Sequence, residues 1–329
     1  MGLCTSQLQQ LLALATEAAI KAGRYISTFD RSLLQVDRKT AGNSLSSQVV
    51  TQVDLDSQAI ILDVLQSSIE QYDLAVLSEE NASEDDVCGH PRFQKAYYWC
   101  IDPLDGTLPF IEGSAGFAVS IALVSQSGDP VIGVVHNPVT GDTYQALNAN
   151  APDEIQVSVE KPAPEEITGL DKKFGGDGKT LLKNNQPWQP EVNHHYFTLY
   201  IDRSFEADPR YASCIENLAS LVKRHGYDEL IVVNNCGAVM NAIGVFEHAP
   251  ACYLKLPKAQ KGGGSLWDFS ATAAIARASS LLWVSDVYGE PLDLNRTDSN
   301  FMNHKGVLYL HGVESNAFLL EADNLFDAF

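Results

Sequence analysis

No run of 18 or more uncharged apolar residues occurs in the 329 residues, although 45% of them are hydrophobic. A membrane helix needs about 20 such residues in a row, so neither a span nor a membrane partner is expected. No basic segment followed by an apolar stretch opens the chain, so no secretory leader is expected. Met1-Gly2 followed by Ser6 fits the short myristoylation pattern, but an ordinary or cloning-derived start is the simpler reading. Paired cysteine motifs are missing too. Cys4, Cys88, Cys100, Cys214, Cys236 and Cys252 are scattered, with no C-x-x-C. That argues against a zinc ribbon or a disulfide framework and fits reduced thiols in a cytoplasmic protein. Bases are scarce, with 22 Lys and Arg against 42 Asp and Glu and a net charge of −20. A nucleic acid polymer is recognised through a Lys/Arg footprint, so none is expected as a partner. The same charge poses a problem for any anionic small molecule, which is repelled unless bound cations reverse the local field.

What is present is patterned. The length exceeds what one hydrophobic core usually supports, and two subdomains, 1–195 and 196–329, or one large layered domain, are expected. Leu8, Leu11, Leu12, Ala15, Ala18, Ala19 and Ala22 recur at helical spacing over 7–25. Residues 37–49, around Ala41-Gly42-Asn43, read as a loop or loose hairpin. A second helix is expected over 54–71, with Asp54 or Asp56 as its cap. Strand signals follow at 74–77, 97–101, 117–124, 131–136 and 143–147, the third and fourth flanking the hairpin signal Ser127-Gly128-Asp129-Pro130. Residues 148–195 are rich in Pro, Gly, Asn and Lys and read as an irregular connection. Beyond them strands (197–201, 230–233, 251–256, 281–284) alternate with helices (211–225, 237–246, 267–278). The expected class is α/β, with an α+β N-terminal half and an α/β C-terminal half.

Acids stand where strands should stop, at Glu79-Glu80 and at Asp102 and Asp105. Pro103 and Gly106 bracket the last pair and predict a tight turn that ends the strand. The string Leu-Asp-Gly-Thr-Leu suggests an aspartyl nucleophile of the haloacid-dehalogenase type, whose pattern is Asp-x-Asp-Gly-Thr. Two residues before Asp105, however, is Pro103, which has no nucleophile, and Asp102 is one residue too far back. The alternative is a magnesium cage. Two carboxylates about 4 Å apart repel by roughly 1–4 kcal/mol, so a cluster calls for cations. Two metal ions can clamp the attacking and leaving oxygens of a phosphoryl transfer.

Asp102-Pro103-Leu104-Asp105-Gly106-Thr107 resembles the D-P-[IL]-D-G-T motif of the inositol monophosphatase superfamily, lithium-sensitive and Mg²⁺-dependent phosphomonoesterases. Three further motifs follow in order. Thr51-Gln52-Val53-Asp54 resembles T-x-x-D, Ser78-Glu79-Glu80 resembles G-E-E with Ser for Gly, and Trp267-Asp268-Phe269-Ser270-Ala271 resembles W-D-x-[SA]-A. The resemblance implies a layered sugar-phosphatase fold holding two or three Mg²⁺ ions. Glu79, Asp102 and the Leu104 carbonyl would hold the first, Asp102, Asp105 and Asp268 the second, and Glu79 with waters a third. Thr107, positioned by Asp54, would orient the attacking water with Glu79, while the Gly106 and Thr107 N–H groups take phosphate oxygens. Taken singly these residues have plainer readings: Asp54 a helix cap, Glu79 a solvated loop acid, Asp268 an acid at a helix start. Their co-occurrence in order favours the functional one.

The substrate signals are mixed. Tyr253-Leu254-Lys255-Leu256-Pro257 is similar to the Y-L-R-L-P of 3'(2'),5'-bisphosphate nucleotidases, and Asp202-Arg203-Ser204 falls near their S-R-S segment. Leu108, however, stands where many of them carry Lys. Gly237 and Ala238 occupy the segment expected to meet the substrate, and Lys261 stands where the inositol branch carries a ring-binding acid. Gly262-Gly263-Gly264 predicts an open or mobile rim. The expected substrate is a small phosphorylated metabolite, with a bisphosphate nucleotide slightly favoured over inositol phosphate or a sugar phosphate. A non-catalytic ligand-binding or regulatory protein on the same fold is the rival class. A homodimer is compatible with either.

Overall fold

The computed structural model describes residues 2–33, 36–38, 49–83, 87–149, 179–188, 191–193, 195–259, 262, 264–279 and 281–313. Helix α1 (Thr5–Thr28) buries the anticipated stripe from Leu8 through Ala22. Strands β1 (Val36–Arg38) and β2 (Val49–Thr51) pair antiparallel, as a hairpin requires. Helix α2 (Gln52–Tyr72) begins directly where β2 ends. Asp54 is therefore inside its first turn and is not its cap. Asp56 is not the cap either; it accepts hydrogen bonds from the Tyr25 hydroxyl (2.5 Å) and Gln52 Nε2 (2.7 Å).

The first sheet is built from β3 (Ala75–Ser78), β4 (Tyr97–Asp105), β5 (Ala118–Ser125), β6 (Pro130–His136), β7 (Thr143–Asn148), β8 (Lys179–Lys183) and β9 (Gln186–Pro187), in that spatial order. Only β3 and β4 run parallel. Helix α3 (Thr107–Glu112) sits between β4 and β5. Two expectations are corrected. β4 does not stop at Ile101 but continues through Pro103 to Asp105, and the described end of the supposed irregular connection is strand β8, paired with β7.

The chain then forms β10 (Glu191–Val192), β11 (Tyr196–Tyr200), α4 (Tyr211–Arg224), β12 (Glu229–Val233), α5 (Ala238–Glu247), β13 (His248–Ala249), β14 (Ala251–Lys255), α6 (Leu266–Ala278), β15 (Leu282–Ser285) and β16 (Val307–His311). The second sheet has the order β12-β11-β14-β16-β15. Its first three strands are parallel, and β16 runs antiparallel to both neighbours. The strand–helix alternation in the sequence contains no β16, which supplies the antiparallel part of this sheet.

Strand alternation sorts the core into layers. Trp99 and Ile101 of β4 pack with α1 and α2 residues such as Leu11 and Ile61. Tyr98 and Cys100 face the other way, onto α5 and α6 residues such as Val239 and Ala271, which also meet Tyr253 and Tyr309 of the second sheet. Leu218 and Val222 of α4 cover the far face of that sheet through Leu199 and Leu254. The stack is helices, sheet, helices, sheet, helix: a layered α+β arrangement. No helix among the described residues is long and apolar enough to cross a membrane.

Candidate active site

The site begins with a count of residues. Positions three apart on a regular strand face opposite sides, so Asp102 and Asp105 should diverge. Asp102 pairs with Ser120 and Asp105 with Ala118, so three steps on β4 match two on β5. The extra residue is a β-bulge, which re-aims side chains locally. It puts both aspartates on the face that carries Tyr98, Cys100 and Ala118, toward α6. The Leu104 amide donates to Asp102 Oδ1 (3.1 Å), and Ser57 Oγ anchors the Pro103 carbonyl (2.9 Å).

Helix α6 brings the third acid. Asp268 is at its third position, where its Oδ2 accepts from the Ser265 amide (2.8 Å) in a capping box. Ser120 Oγ donates to the Trp267 carbonyl (3.2 Å), tying this helix start to β5. Helix α5 holds Asp105: the amides of Ala238 and Val239 donate to its two oxygens at 3.1 and 2.9 Å, and the positive end of a helix favours a carboxylate there. Asp102, Asp105 and Asp268 offer ligand atoms all within 4.8 Å of one another. Asp102 and Asp105 are buried and Asp268 half-buried, so the cluster meets solvent on one side.

Burial, then the Glu79 and Asp105 charges, push the Asp102 carboxyl well above the usual carboxylate range. Burial and Asp268 do the same to Asp105, opposed by the Val239 N–H. Asp268 is pushed up to about 7 by burial and Glu79, with Lys255 opposing. Three acids so placed repel one another, which makes the cluster a receptor for cations. Every donor in it is a carboxylate oxygen, with no sulfur or imidazole, the set that suits Mg²⁺ rather than zinc or copper.

The remaining expected residues fall around this centre. Glu79 opens the one-turn helix Glu79–Asn81 after β3, and its charge acts on all three aspartates, but it is outside the 4.8 Å cluster. Thr107 Oγ1 is 3.1 Å from Asp54 Oδ1 and 3.4 Å from the Leu104 carbonyl, all three residues being buried. Gly106 has φ +86°, caps α3 and packs against Gly116 and Phe117. The amides of Gly237 and Ala238 are both hydrogen-bonded within the chain. The Gly237 amide donates to the Gly116 carbonyl (2.7 Å) and that of Ala238 to Asp105. They serve the site by fixing Asp105. Lys261 lies outside the described residues. The open rim expected of the glycine run is corrected at Gly262 and Gly264, both buried. Gly264 has φ +120°, and a Cβ there would meet Lys255 Cε at 2.6 Å and the Phe269 ring at 3.0 Å.

Sequence reasoning assigned no role to a neighbouring group. Lys255, buried at the end of β14, bonds Asp202, which also accepts from the Tyr253 hydroxyl (2.7 Å). The signals for it were the Tyr253-Leu254-Lys255-Leu256-Pro257 and Asp202-Arg203-Ser204 strings.

The model of the inositol monophosphatase family matches residues 7–311. An inositol-1-monophosphatase from Synechocystis is 30% identical over 188 residues, 55% of this chain and 60% of that protein. A 3'(2'),5'-bisphosphate nucleotidase CysQ from Salmonella typhimurium is 41% identical over 102 residues, 31% of this chain and 39% of that protein. The chain thus spans less than two thirds of the length of these curated relatives. The crystal structure of extragenic suppressor protein suhB from Bartonella henselae superimposes with a TM-score of 0.66 at 18% identity, covering 97% of this chain and 99% of that one.

Proposed function

This chain belongs to the inositol monophosphatase family, and on that premise we propose that it is a Mg²⁺-dependent phosphomonoesterase acting on a small phosphorylated metabolite. One observation carries the reading: three acids from β4 and α6 converge within 4.8 Å beside the hydrogen-bonded pair Thr107 and Asp54. The oxygen-only donor set fits Mg²⁺, with Asp102, Asp105 and Asp268 as ligands and Glu79 and the Leu104 carbonyl completing the first-ion set. Bound Mg²⁺ supplies charge neutralisation for the phosphate and acidifies water.

The chain's own residues do the rest. Thr107 donates its hydroxyl proton to Asp54, so its lone pairs are left to accept a proton from a water and aim that water's oxygen at phosphorus. Glu79, half-buried at the rim, supports the same water. The amides of Gly106 and Thr107, at the start of α3, lack intrahelical partners and suit phosphate oxygens. Catalysis of this kind is positioning and electrostatic stabilisation with no covalent intermediate. The division into 1–195 and 196–329 is supported by the sheets, since the seven-stranded one lies wholly before residue 195 and the five-stranded one wholly after it, while α5 and α6 of the second part pack on the first sheet and bring Asp268 to the site. Six unpaired cysteines support a cytoplasmic setting, and family likeness supports lithium sensitivity.

For the substrate we favour a 3'(2'),5'-bisphosphate nucleotide over inositol phosphate or a sugar phosphate, on the Tyr-Leu-Lys-Leu-Pro string and the CysQ relative. The test is phosphate release from 3'-phosphoadenosine 5'-phosphate, inositol 1-phosphate and fructose 1,6-bisphosphate, with and without Mg²⁺. Release should require Mg²⁺, and Asp105→Asn should nearly abolish it while leaving a folded chain. No release from any of the three would favour a non-catalytic ligand-binding protein; near-normal release by Asp105→Asn would sink the cage.

A further inference from the structure

One face of α2 holds three parts of the site. Ser57 and Gln58 follow Asp54 by three and four residues, so all three lie on the same side of that helix. Asp54 accepts from the Thr107 hydroxyl (3.1 Å), and Ser57 donates to the Pro103 carbonyl in the bulge (2.9 Å). Gln58 reaches the third part, the one-turn helix Glu79–Asn81. Its Oε1 accepts from the Ser78 hydroxyl, and its Nε2 donates to Asn81 Oδ1 (3.2 Å). These two bonds grip the turn on either side of Glu79 and Glu80. Packing alone does not call for an amide here. Gln58 is 7% exposed, and a buried amide costs free energy unless its groups are bonded. Methionine would fill the same space without that cost, so what the amide adds is the grip.

The turn needs it. Among the described residues β3 is an edge strand, paired with β4 alone. Its last residue, Ser78, lies opposite Ile101, so in this parallel pair Glu79 follows at the level of Asp102. The turn beyond packs on both α2 and β4 and is closed by a long bond from the Ala82 amide to the Glu79 carbonyl (3.3 Å). Glu79 is half-buried, so its carboxylate stays toward Asp102 only if the turn is braced from outside the strand. Helix α2 already fixes Thr107 and the bulge, and the same helix supplies this brace.

We propose that Gln58 is a positioning residue for Glu79: through Ser78 and Asn81 it sets the turn so that the Glu79 carboxylate faces the aspartate cluster and completes the cation site. This rests on the phosphatase reading above, in which Glu79 belongs to the first-ion set, and adds the group that holds Glu79 there. Groups that orient a metal ligand in this way are worth about 10–100-fold in metal affinity or activity.

The experiment is a double-mutant cycle read by calorimetric Mg²⁺ affinity and by Mg²⁺-dependent phosphate release. Gln58→Met should weaken Mg²⁺ binding about tenfold and lower kcat by a similar factor, with KM for the ester changing less. In a Glu79→Gln background the same substitution should cause no further loss, because the group it positions is gone. Asn81→Ala cuts only the outer bond, at an exposed residue where folding is not at stake, and should weaken Mg²⁺ binding roughly threefold. Ser68→Ala is the control. Ser68 is also buried on α2, where its Oγ accepts from Trp99 Nε1 (3.1 Å), and losing that bond should lower the melting temperature while leaving Mg²⁺ affinity unchanged. Full Mg²⁺ affinity in Gln58→Met, an equal loss with and without the Glu79 carboxylate, or a comparable loss in Ser68→Ala overturns the proposal. No Mg²⁺ binding by the unmodified protein would overturn the phosphatase reading and the proposal with it.

Discussion

Gly237→Ala should disable the centre without touching a carboxylate. A Cβ at Gly237 would lie 2.3 Å from Asp105 Oδ2, 2.8 Å from its Cγ and 2.8 Å from Gly106 Cα. Ordinary contact needs more than a further 0.5 Å at the backbone and about 1 Å at the carboxylate. Gly106 cannot retreat, since it is left-handed and closely packed itself, its own Cβ position being 2.7 Å from the Gly116 carbonyl. The displacement therefore falls on Asp105 and on its two bonds from the start of α5. Overpacking costs about 1–3 kcal/mol, and a 1 Å error in a catalytic group costs on the order of 100-fold in rate. We expect a lowered melting temperature and a fall of about 100-fold in Mg²⁺-dependent phosphate release. Gly141→Ala is the control. Gly141 is also left-handed (φ +78°), but its Cβ would meet nothing within 4 Å, so it should lose about 1–2 kcal/mol of stability and keep its activity. If Gly237→Ala turned over at more than half the normal rate, or lost no more activity than the control, the claim that this helix start fixes Asp105 would be wrong.

Thr107→Val, nearly the same shape, removes the hydroxyl that joins Asp54 to the expected water; turnover should fall by about 10²–10⁴ with KM little changed, as steady-state kinetics would show, and normal turnover would dismiss the role. Stability should also depend on pH when metal is chelated. Asp102 and Asp105 titrate well above the usual range and Asp268 up to about 7, against an ordinary 3.8. Between about pH 4 and pH 7 the folded chain keeps protons that the unfolded chain has lost, so this contribution is full at the low end and disappears as pH rises. Urea unfolding in EDTA should show more stability at pH 5.5 than at pH 7.5, and saturating Mg²⁺ should shrink or reverse the difference. An identical pH slope in both conditions would count against metal binding at the cluster.

Much of the fold was legible wherever a residue's partner was close in sequence or its periodicity was strict. The Leu8 to Ala22 stripe marks α1 because a helix repeats every 3.6 residues, whatever it packs against. The hairpin at Gly128 and the capping box of Ser265 with Asp268 are likewise local. Failures came where a remote contact overrode a local signal. Asp54 looked like a helix cap, but β2 runs straight into α2 and leaves it inside the first turn, facing Thr107. Pro103 looked like a strand end, but a bulge absorbs the missing amide and β4 continues. Gly262 and Gly264 looked like an open rim, but Gly264 is a glycine because the Lys255 stem and the Phe269 ring occupy its side-chain space.

The candidate site divides in the same way. Sequence alone determined which atoms are available: carboxylates at Asp102, Asp105 and Asp268, a hydroxyl at Thr107, and 22 bases against 42 acids in the whole chain. It also carries the resemblance to the family, because four short motifs occur in order and each is local, and the family model over residues 7–311 bears that resemblance out. Tertiary structure decided which groups meet. The bulge that turns Asp102 and Asp105 to one face depends on the register with β5, the arrival of Asp268 depends on α6 crossing that face, and the hold on Asp105 depends on α5, more than 130 residues away. Register and helix packing are set by the whole core at once, so no window of sequence contains them.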